Sequence, residues 1–384
     1  LENWRALISM ASHENAETEV FILKRDLKSI RIFRNEIAEA QNMIEEGVAI
    51  RVVKDGGMGF SVTNVLERDQ LERAFRYALR MAKSSNRIQN WSQLPKPENS
   101  KSSNSLYLYD KELSSYSPEE VMDLALRMSK RISSYSGATC SLTGVLMVLS
   151  EEYSIINSHG LEHLSELSSI IHLRHIVEAK KNAKYFTEMN QFTSRRLSEF
   201  SPEEEVSKVA SIATEKVQLP RKPIPNGRYD LILAPIAVGA FISYFLSPMI
   251  TGESTQQGVS CFTDMLDRMV AASPFSLIDN GRSEAGLGSA MMDDEGTPTG
   301  STTVIENGVL KNFLYDTLTA CLSGATSTGN ARRASETLGR TYLTPPEPLP
   351  TNLIVKNGDY SPDELIEETR KGVLMDSIDY SFPL

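Results

Sequence analysis

Apolar and polar residues alternate along Glu19-Val-Phe-Ile-Leu-Lys and again along Lys28-Ser-Ile-Arg-Ile-Phe-Arg. A period of two is what a half-buried strand requires. Gly47-Val-Ala-Ile-Arg-Val-Val-Lys follows, Asp55-Gly56-Gly57 marks a turn, and Met58-Gly-Phe-Ser-Val-Thr returns. The pattern predicts an antiparallel meander. The period then changes. Leu66, Leu71, Ala74, Phe75, Ala78, Leu79 and Ala82 share one face of a helix reaching Ser84. Residues 1–17 have an amphipathic helical pattern. Residues 85–105 are polar, with Pro95, Pro97 and many serines, and read as a linker.

A second unit follows, with a predicted strand at Ser105-Leu-Tyr-Leu-Tyr. Ser117-Pro-Glu-Glu combines a serine N-cap, a proline in the first turn and a glutamate placed to close a capping box, so a helix is expected to about Ser134. Strands are expected at Thr139–Ser150, Glu152–Ile156 and Leu161–Glu178. Ser201-Pro-Glu-Glu opens another helix to about Gln218, and Ser361-Pro-Asp-Glu is a third copy of the tetrapeptide. The proline-rich Leu219-Pro-Arg-Lys-Pro-Ile-Pro reads as a stiff linker. Beyond it, Asn307-Gly308 between two apolar, alternating runs predicts a hairpin with a type I′ turn, and Asn352-Leu-Ile-Val-Lys a further strand. The expected class is α+β: antiparallel or mixed sheets with packed helices, then a β-rich C-terminal region with hairpins. The expected division is 1–90, a linker 91–104, 105–218, a linker 219–228, and 229–384.

Leu231–Ile250 carries no charge in a chain that is 23% charged. Its length suits a membrane span, but Pro235, Gly239 and Pro248 interrupt it. Asp230-Leu-Ile-Leu reads better as a short buried strand. Pro235 then opens a helix, apolar on nearly all sides and expected to be buried.

The formal net charge of −10 disfavours direct nucleic-acid binding, which normally shows a basic face. Cys140, Cys261 and Cys321 are too scattered and too few for a disulfide framework, so a reducing, cytoplasmic setting is expected. No signal-peptide pattern is visible at the N-terminus. His159, His163, His172 and His175 suggest a zinc site, but strand character around the last two puts them on opposite faces, and a half-exposed sheet face is the expectation. Asp293-Asp294-Glu295 could bind a cation or a peptide amine, or form a solvated acidic turn. Ser327-Thr-Gly-Asn-Ala-Arg-Arg could form a backbone nest for a carboxylate or phosphate, or a basic turn. The serine-hydrolase elbow, the His-Glu-x-x-His motif and the dinucleotide fingerprint are absent from the sequence.

Several segments in order resemble the TldD/PmbA family, the proteins called modulators of DNA gyrase. They are Gly47-Val-Ala-Ile-Arg-Val, Gly56-Gly-Met-Gly-Phe-Ser-Val-Thr-Asn, Asp294-Glu-Gly-Thr-Pro, Ile305-Glu-Asn-Gly-Val-Leu-Lys and Thr328-Gly-Asn-Ala-Arg-Arg-Ala-Ser. The resemblance implies a metallopeptidase family. In its TldD branch a His-Glu-x-x-x-His segment supplies two zinc ligands and a general-base glutamate. Here the matching ligand positions hold Pro235 and Ala240, and the base position holds Ile236. No cysteine follows Cys321, whereas the TldD branch uses one near its C-terminus. The chain ends at Leu384, where the family usually continues, so part of the C-terminal region is expected to be absent. The resemblance is therefore to the PmbA, or TldE, branch: a subunit with a degenerate zinc site that pairs with a zinc-bearing TldD-type subunit in a heterodimeric protease of small unfolded peptides. On that reading this chain holds no cofactor, and catalytic residues are expected in the partner. Asp293, Asp294, Glu295, Asn330, Arg332 and Arg333 are candidates for contacting peptide or lining its channel. The alternatives are an independent peptidase using other residues, and a stand-alone peptide-binding homodimer. No direct nucleic-acid or membrane partner is expected.

Overall fold

The first two strands are unusually long, β1 (Glu17–Phe33) and β2 (Glu36–Lys54). The structure is a computed structural model that describes residues 2–97, 106–162, 164–220, 222–335 and 337–378. Helix α1 (Glu2–His13) precedes β1. The two alternating runs of the sequence are one strand, because Arg25 does not interrupt it. Arg25 is buried and donates to the carbonyls of Leu338 at 2.8 Å and Arg340 at 3.0 Å, which satisfies a cation that would otherwise be too costly there. At the hairpin, Arg34 and Asn35 both have positive φ, as a two-residue type I′ turn needs. Asp55 and Gly56 repeat this before β3 (Gly57–Thr63). Helix α2 (Arg68–Ser84) buries the face the sequence predicts, Leu71 through Ala82.

Residues 106–110 do not form the expected strand. The Leu108 carbonyl accepts from Ser169 N–H and from Arg195, and Asp110 N–H donates to Ser169 Oγ, so an isolated main-chain bond and side-chain bonds, rather than a ladder, hold this segment. Asp110 caps the short α3 (Lys111–Ser114). Helix α4 (Pro118–Ser133) starts at the predicted capping box. Strand β4 (Thr139–Asn157) runs unbroken through Ser150-Glu151-Glu152. Here the buried Glu151 accepts the Arg340 N–H at 2.6 Å. Strand β5 (Leu164–Lys181) begins three residues later than expected, and β6 (Lys184–Ser194), half exposed and weakly patterned, escapes sequence reading. Helix α5 (Pro202–Lys216) follows.

These strands form one antiparallel sheet in the order β3-β2-β1-β4-β5-β6, so strands on both sides of residues 91–104 pair with each other. One face is covered by helices. Leu7 of α1 and Leu71, Phe75 and Ala78 of α2 meet Val20, Val48, Ile50 and Val52. Val121, Met128, Val206 and Val209 of α4 and α5 meet Ile30, Leu146, Ile171 and Leu173. The other face carries Phe21, Leu23, Ala49, Tyr153 and Ile155, and Tyr342 from the C-terminal part packs on it.

The C-terminal part starts with β7 (Asp230–Leu233) and α6 (Pro235–Phe241), which Pro235 opens as expected. One π-turn and one 3-10 turn lead to α7 (Gly252–Gln256). Then come β8 (Leu277–Asn280), β9 (Ser301–Glu306), β10 (Val309–Leu310), α8 (Thr317–Ser323), β11 (Ala331–Arg332), β12 (Glu347–Pro348), β13 (Leu353–Val355), α9 (Pro362–Glu368) and β14 (Gly372–Met375). A four-stranded sheet runs β10-β9-β8-β13, β11 pairs with β12, and β7 pairs in parallel with β14. The Asn307-Gly308 turn has positive φ at both residues, 48° and 81°, as the sequence predicts. The class is α+β. Among the described residues no helix is long and apolar enough to cross a membrane.

Candidate functional site

The apolar stretch Leu231–Ile250 is not the buried element expected of it. Ala237, Ile242 and Ile250 turn inward, but Ile236 is 60% exposed and Leu231, Phe241, Tyr244 and Phe245 are exposed too. The cause is one-sided packing. Among the described residues β7 has only β14 as a strand neighbour, and α6 rests on the C-terminal core through one face, with Val238 and Leu246 beside Ile242. The other face borders an open groove of about 900 Å³. Its walls come from β7 and α6 (Ile232, Pro235, Val238, Gly239), from β13 (Leu353, Val355) and from α9 with the residues before it (Tyr360, Leu365, Ile366).

The groove has one main-chain wall. Asn280 N–H donates to the Asn352 carbonyl and Lys356 N–H to the Ser276 carbonyl. In an antiparallel ladder the groups facing a neighbour alternate. The intervening Leu353 and Val355 therefore turn their N–H and C=O away from β8, on the side where no other strand pairs among the described residues. Ser243, Ser247, Thr351, Lys356 and Asn357 add polar groups to the lining.

A metal does not fit here. Pro235, Ile236 and Ala240 have no side-chain donor atoms, and among the described residues no histidine, cysteine, aspartate or glutamate lines the groove. No group of three or more such residues is arranged for a metal among the described residues. The histidines are dispersed as their strand positions require. His159 Nε2 lies 2.7 Å from Glu17, His172 Nδ1 is 2.8 Å from Thr193 Oγ1, and His175 is buried on the opposite face of β5. His163 lies outside the described residues.

The six polar candidates do not line the groove. Asp293, Asp294 and Glu295 are almost fully buried, which overturns the solvated-turn reading. Glu295 meets the second face of the large sheet through Arg51, and Asp294 reaches it through Arg340, which pairs with Glu151, in a charged seam. Arg51 pairs with Glu19 and Glu295, Arg333 with Glu19 at 2.8 Å, and Arg340 with Asp294 at 2.7 Å. Arg340 also stacks on Tyr153, 3.9 Å from the ring centroid, and Arg333 on Phe21. Burial opposes ionisation, yet Arg340 and Arg332 hold the Asp294 carboxyl below its usual range, and Arg51 does the same for Glu295. Burial and the nearby Glu295 push Asp316 up to about 6 and raise Asp293 far above the normal carboxyl range. Asp293 takes main-chain N–H bonds from Glu295, Thr297 and Ala331, so the turn is built around its carboxyl.

Asn330 stands one step behind the groove. It donates to Asp279 Oδ2 at 2.7 Å and to the Leu349 carbonyl, and Asp279 in turn accepts from Thr351 N–H. Leu349 and Thr351 belong to the groove lining. Arg332 donates to the Gly288 carbonyl. Sequence reading did not single out Glu19, Arg51, Glu151 or Arg340. The available signal was parity: Glu19 shares the face of Phe21 and Leu23, where a charge demands a partner.

A curved antiparallel sheet backed by helices and joined face-on to a β-rich unit, with a strand–proline–helix junction at a groove, defines a distinct architecture, and comparison with known proteins fits it. Residues 18–82 match the PmbA/TldA metallopeptidase domain 1, and residues 226–381 the PmbA/TldA metallopeptidase C-terminal domain. The chain belongs to the PmbA/TldD metallopeptidase family. It is 27% identical over 358 residues to a metalloprotease of Methanocaldococcus jannaschii, covering 90% of this chain and 75% of that protein. It is 24% identical over 361 residues to a metalloprotease TldD homolog of Buchnera aphidicola, covering 89% and 70%. The fold is that of TldE from Thermococcus kodakarensis, with a TM-score of 0.83 at 22% identity over 99% of this chain and 83% of that one. A solved Thermotoga maritima structure described by a link to DNA gyrase gives a TM-score of 0.84 at 25% identity, covering 99% and 82%.

Proposed function

We propose that this chain is the non-metal-binding, TldE-like subunit of a two-subunit TldD/TldE-type metalloprotease, and that it shapes a channel for small unfolded peptides beside a zinc-bearing partner. The observation that carries the reading is the chemistry of Pro235, Ile236 and Ala240. Where the family resemblance places two zinc ligands and a general base, these side chains cannot coordinate a metal or take a proton. The groove beside them supports the peptide part. Its walls are mainly apolar, and the outward main-chain groups of Leu353 and Val355 offer an edge to which an extended peptide adds as a strand.

The chain itself contributes binding and orientation: the β13 edge fixes the peptide main chain, and Val238, Tyr360 and Leu365 receive apolar side chains. Asp294, Glu295 and Arg333 act at a distance, by locking the C-terminal unit onto the large sheet, and Asp293 holds the turn that presents Asp294 and Glu295. Asn330 acts through Asp279 on the groove wall. The test is metal content and peptidase activity on one purified sample, alone and mixed with a TldD-type protein from the same source. We expect no stoichiometric zinc and no cleavage alone, with cleavage in the mixture. Stoichiometric zinc and chelator-sensitive cleavage by the chain alone would instead establish an independent peptidase. Peptide binding with no gain on adding the partner would establish a stand-alone binding protein.

A further inference from the structure

The outer edge of β2 is open along half its length. β1 pairs with β2 from Glu36 onward, but β3 pairs with it only from Val48 to Lys54. Among the described residues no strand lies against the outer side of residues 36–47. Lys54 and Gly57 close a two-residue turn, so the even-numbered residues of β2 turn their main-chain groups toward β3. No register shift falls between residues 39 and 54. The same parity therefore sends the N–H and C=O of Ala40, Asn42, Ile44 and Glu46 outward.

A second observation lies beside this edge. A groove of about 540 Å³ separates it from α4, lined among others by Ile30, Ala40, Asn42, Met122 and Leu126. Leu126 is 50% exposed and Ile44 70%. A strand added to the edge would direct alternate side chains to the α4 side of the sheet, into this groove.

Charge selects the occupant. The stretch from Glu36 to Gly47 has four glutamates, Glu36, Glu39, Glu45 and Glu46, and no lysine or arginine. Glu119 and Asp123 of α4 add to it at the groove, where the basic lining residue, Lys28, is already held by Asp26 at 2.7 Å. Arg31 pairs with Glu39, Arg25 with Glu45 at 3.9 Å and Arg127 with Asp123, but among the described residues no ion pair holds Glu36, Glu46 or Glu119. A second copy added antiparallel about Gln41 would place Glu36 opposite Glu46 in a chain of net charge −10, which like-charge repulsion disfavours. We propose that the outer edge of β2 accepts an extended segment of a basic partner polypeptide by strand addition. Alternate residues are apolar and seat against Met122 and Leu126, and the others are lysine or arginine on the opposite face of the sheet, beside Glu36, Glu39 and Glu45. This site is separate from the groove at α6 and stands independently of the function proposed for that groove.

The probe is a fluorescent, end-capped Lys-Val-Lys-Val-Lys-Val-Lys peptide, compared with its Glu-Val counterpart by anisotropy on the full chain. We expect the basic peptide to bind, to weaken with salt, and to slow amide hydrogen exchange at Asn42 and Ile44. Asn42→Pro removes an outward N–H without breaking the β1 ladder, and should weaken binding by up to about tenfold. Leu126→Lys on α4 should weaken it as well, and unchanged thermal midpoints would show that both variants fold. Equal affinity for the acidic peptide, no binding of the basic one, or full binding by folded Asn42→Pro would each overturn the proposal. So would a concentration-dependent dimer that Asn42→Pro dissociates, since the occupant would then be a second copy.

Discussion

Arg51 is flanked by Glu19 of its own sheet and Glu295 of the C-terminal unit, and all three are inaccessible to solvent. Such a cluster adds little net stability over an apolar one, but breaking it leaves an uncompensated buried charge. Arg51→Met should therefore destabilise the chain by about 3–5 kcal/mol, read as a lower urea midpoint. His175 supplies a pH-dependent residue. Burial pushes its imidazole down to about 4, against about 6.5 when unfolded. Between those values the unfolded chain takes up a proton and the folded one does not, so this term lowers stability as pH falls, by about 3 kcal/mol from pH 6.5 to 4. Asp316, raised to about 6, has the opposite sign: the folded chain holds a proton that the unfolded one has lost, so its term lowers stability as pH rises from about 4 to about 6. The two terms mask each other in the wild type. His175→Leu should expose the Asp316 term as a more acid-tolerant profile in urea titrations at stepped pH.

Among the elements, the three copies of the Ser-Pro-acid-acid tetrapeptide behave differently. Ser117 Oγ accepts Glu120 N–H at 3.2 Å while Glu120 reaches back to Ser117 N–H, and Ser361 and Glu364 repeat this box. Ser201 makes no capping bond. Ser117→Ala should cost about 1 kcal/mol, whereas Ser201→Ala should fall within about 0.5 kcal/mol of wild type. Equal costs in thermal unfolding would contradict the assignment. The helices of the first half were legible because apolar residues recur at helical spacing on one face. The full lengths of β1 and β4 were not, because Arg25 and Glu151 look like strand breakers until the C-terminal main chain supplies their partners. The β6 strand carries too little alternation to be read at all.

At the scale of the whole molecule, the large sheet serves two tasks at once. Helices cover one face, and the charged seam on the other fixes the C-terminal unit that carries the groove. A disturbance of the groove alone should leave that seam intact. Val238→Arg places a charge among Ile242, Leu353 and Val355. In the mixture with a TldD-type partner it should raise KM for an apolar peptide about tenfold, with kcat and the zinc content of the complex unchanged. A parallel loss of kcat and zinc would mean that α6 supports the metal site of the partner directly.

The sequence by itself determined the α+β class, the type I′ turn at Asn307-Gly308, the α2 and α4 helices and the family, because these rest on local periodicity, turn chemistry and motif order. It also determined that Pro235, Ile236 and Ala240 cannot hold a metal, since that is a property of side-chain atoms. Only the tertiary structure decided burial. It turned an uncharged stretch outward onto a groove, because among the described residues α6 has a packing partner on one side only. It turned an acidic turn inward, because Arg51 and Arg340 arrive from distant parts of the chain to pair with Glu295 and Asp294. Burial is a sum over contacts between remote segments, and no local pattern contains it.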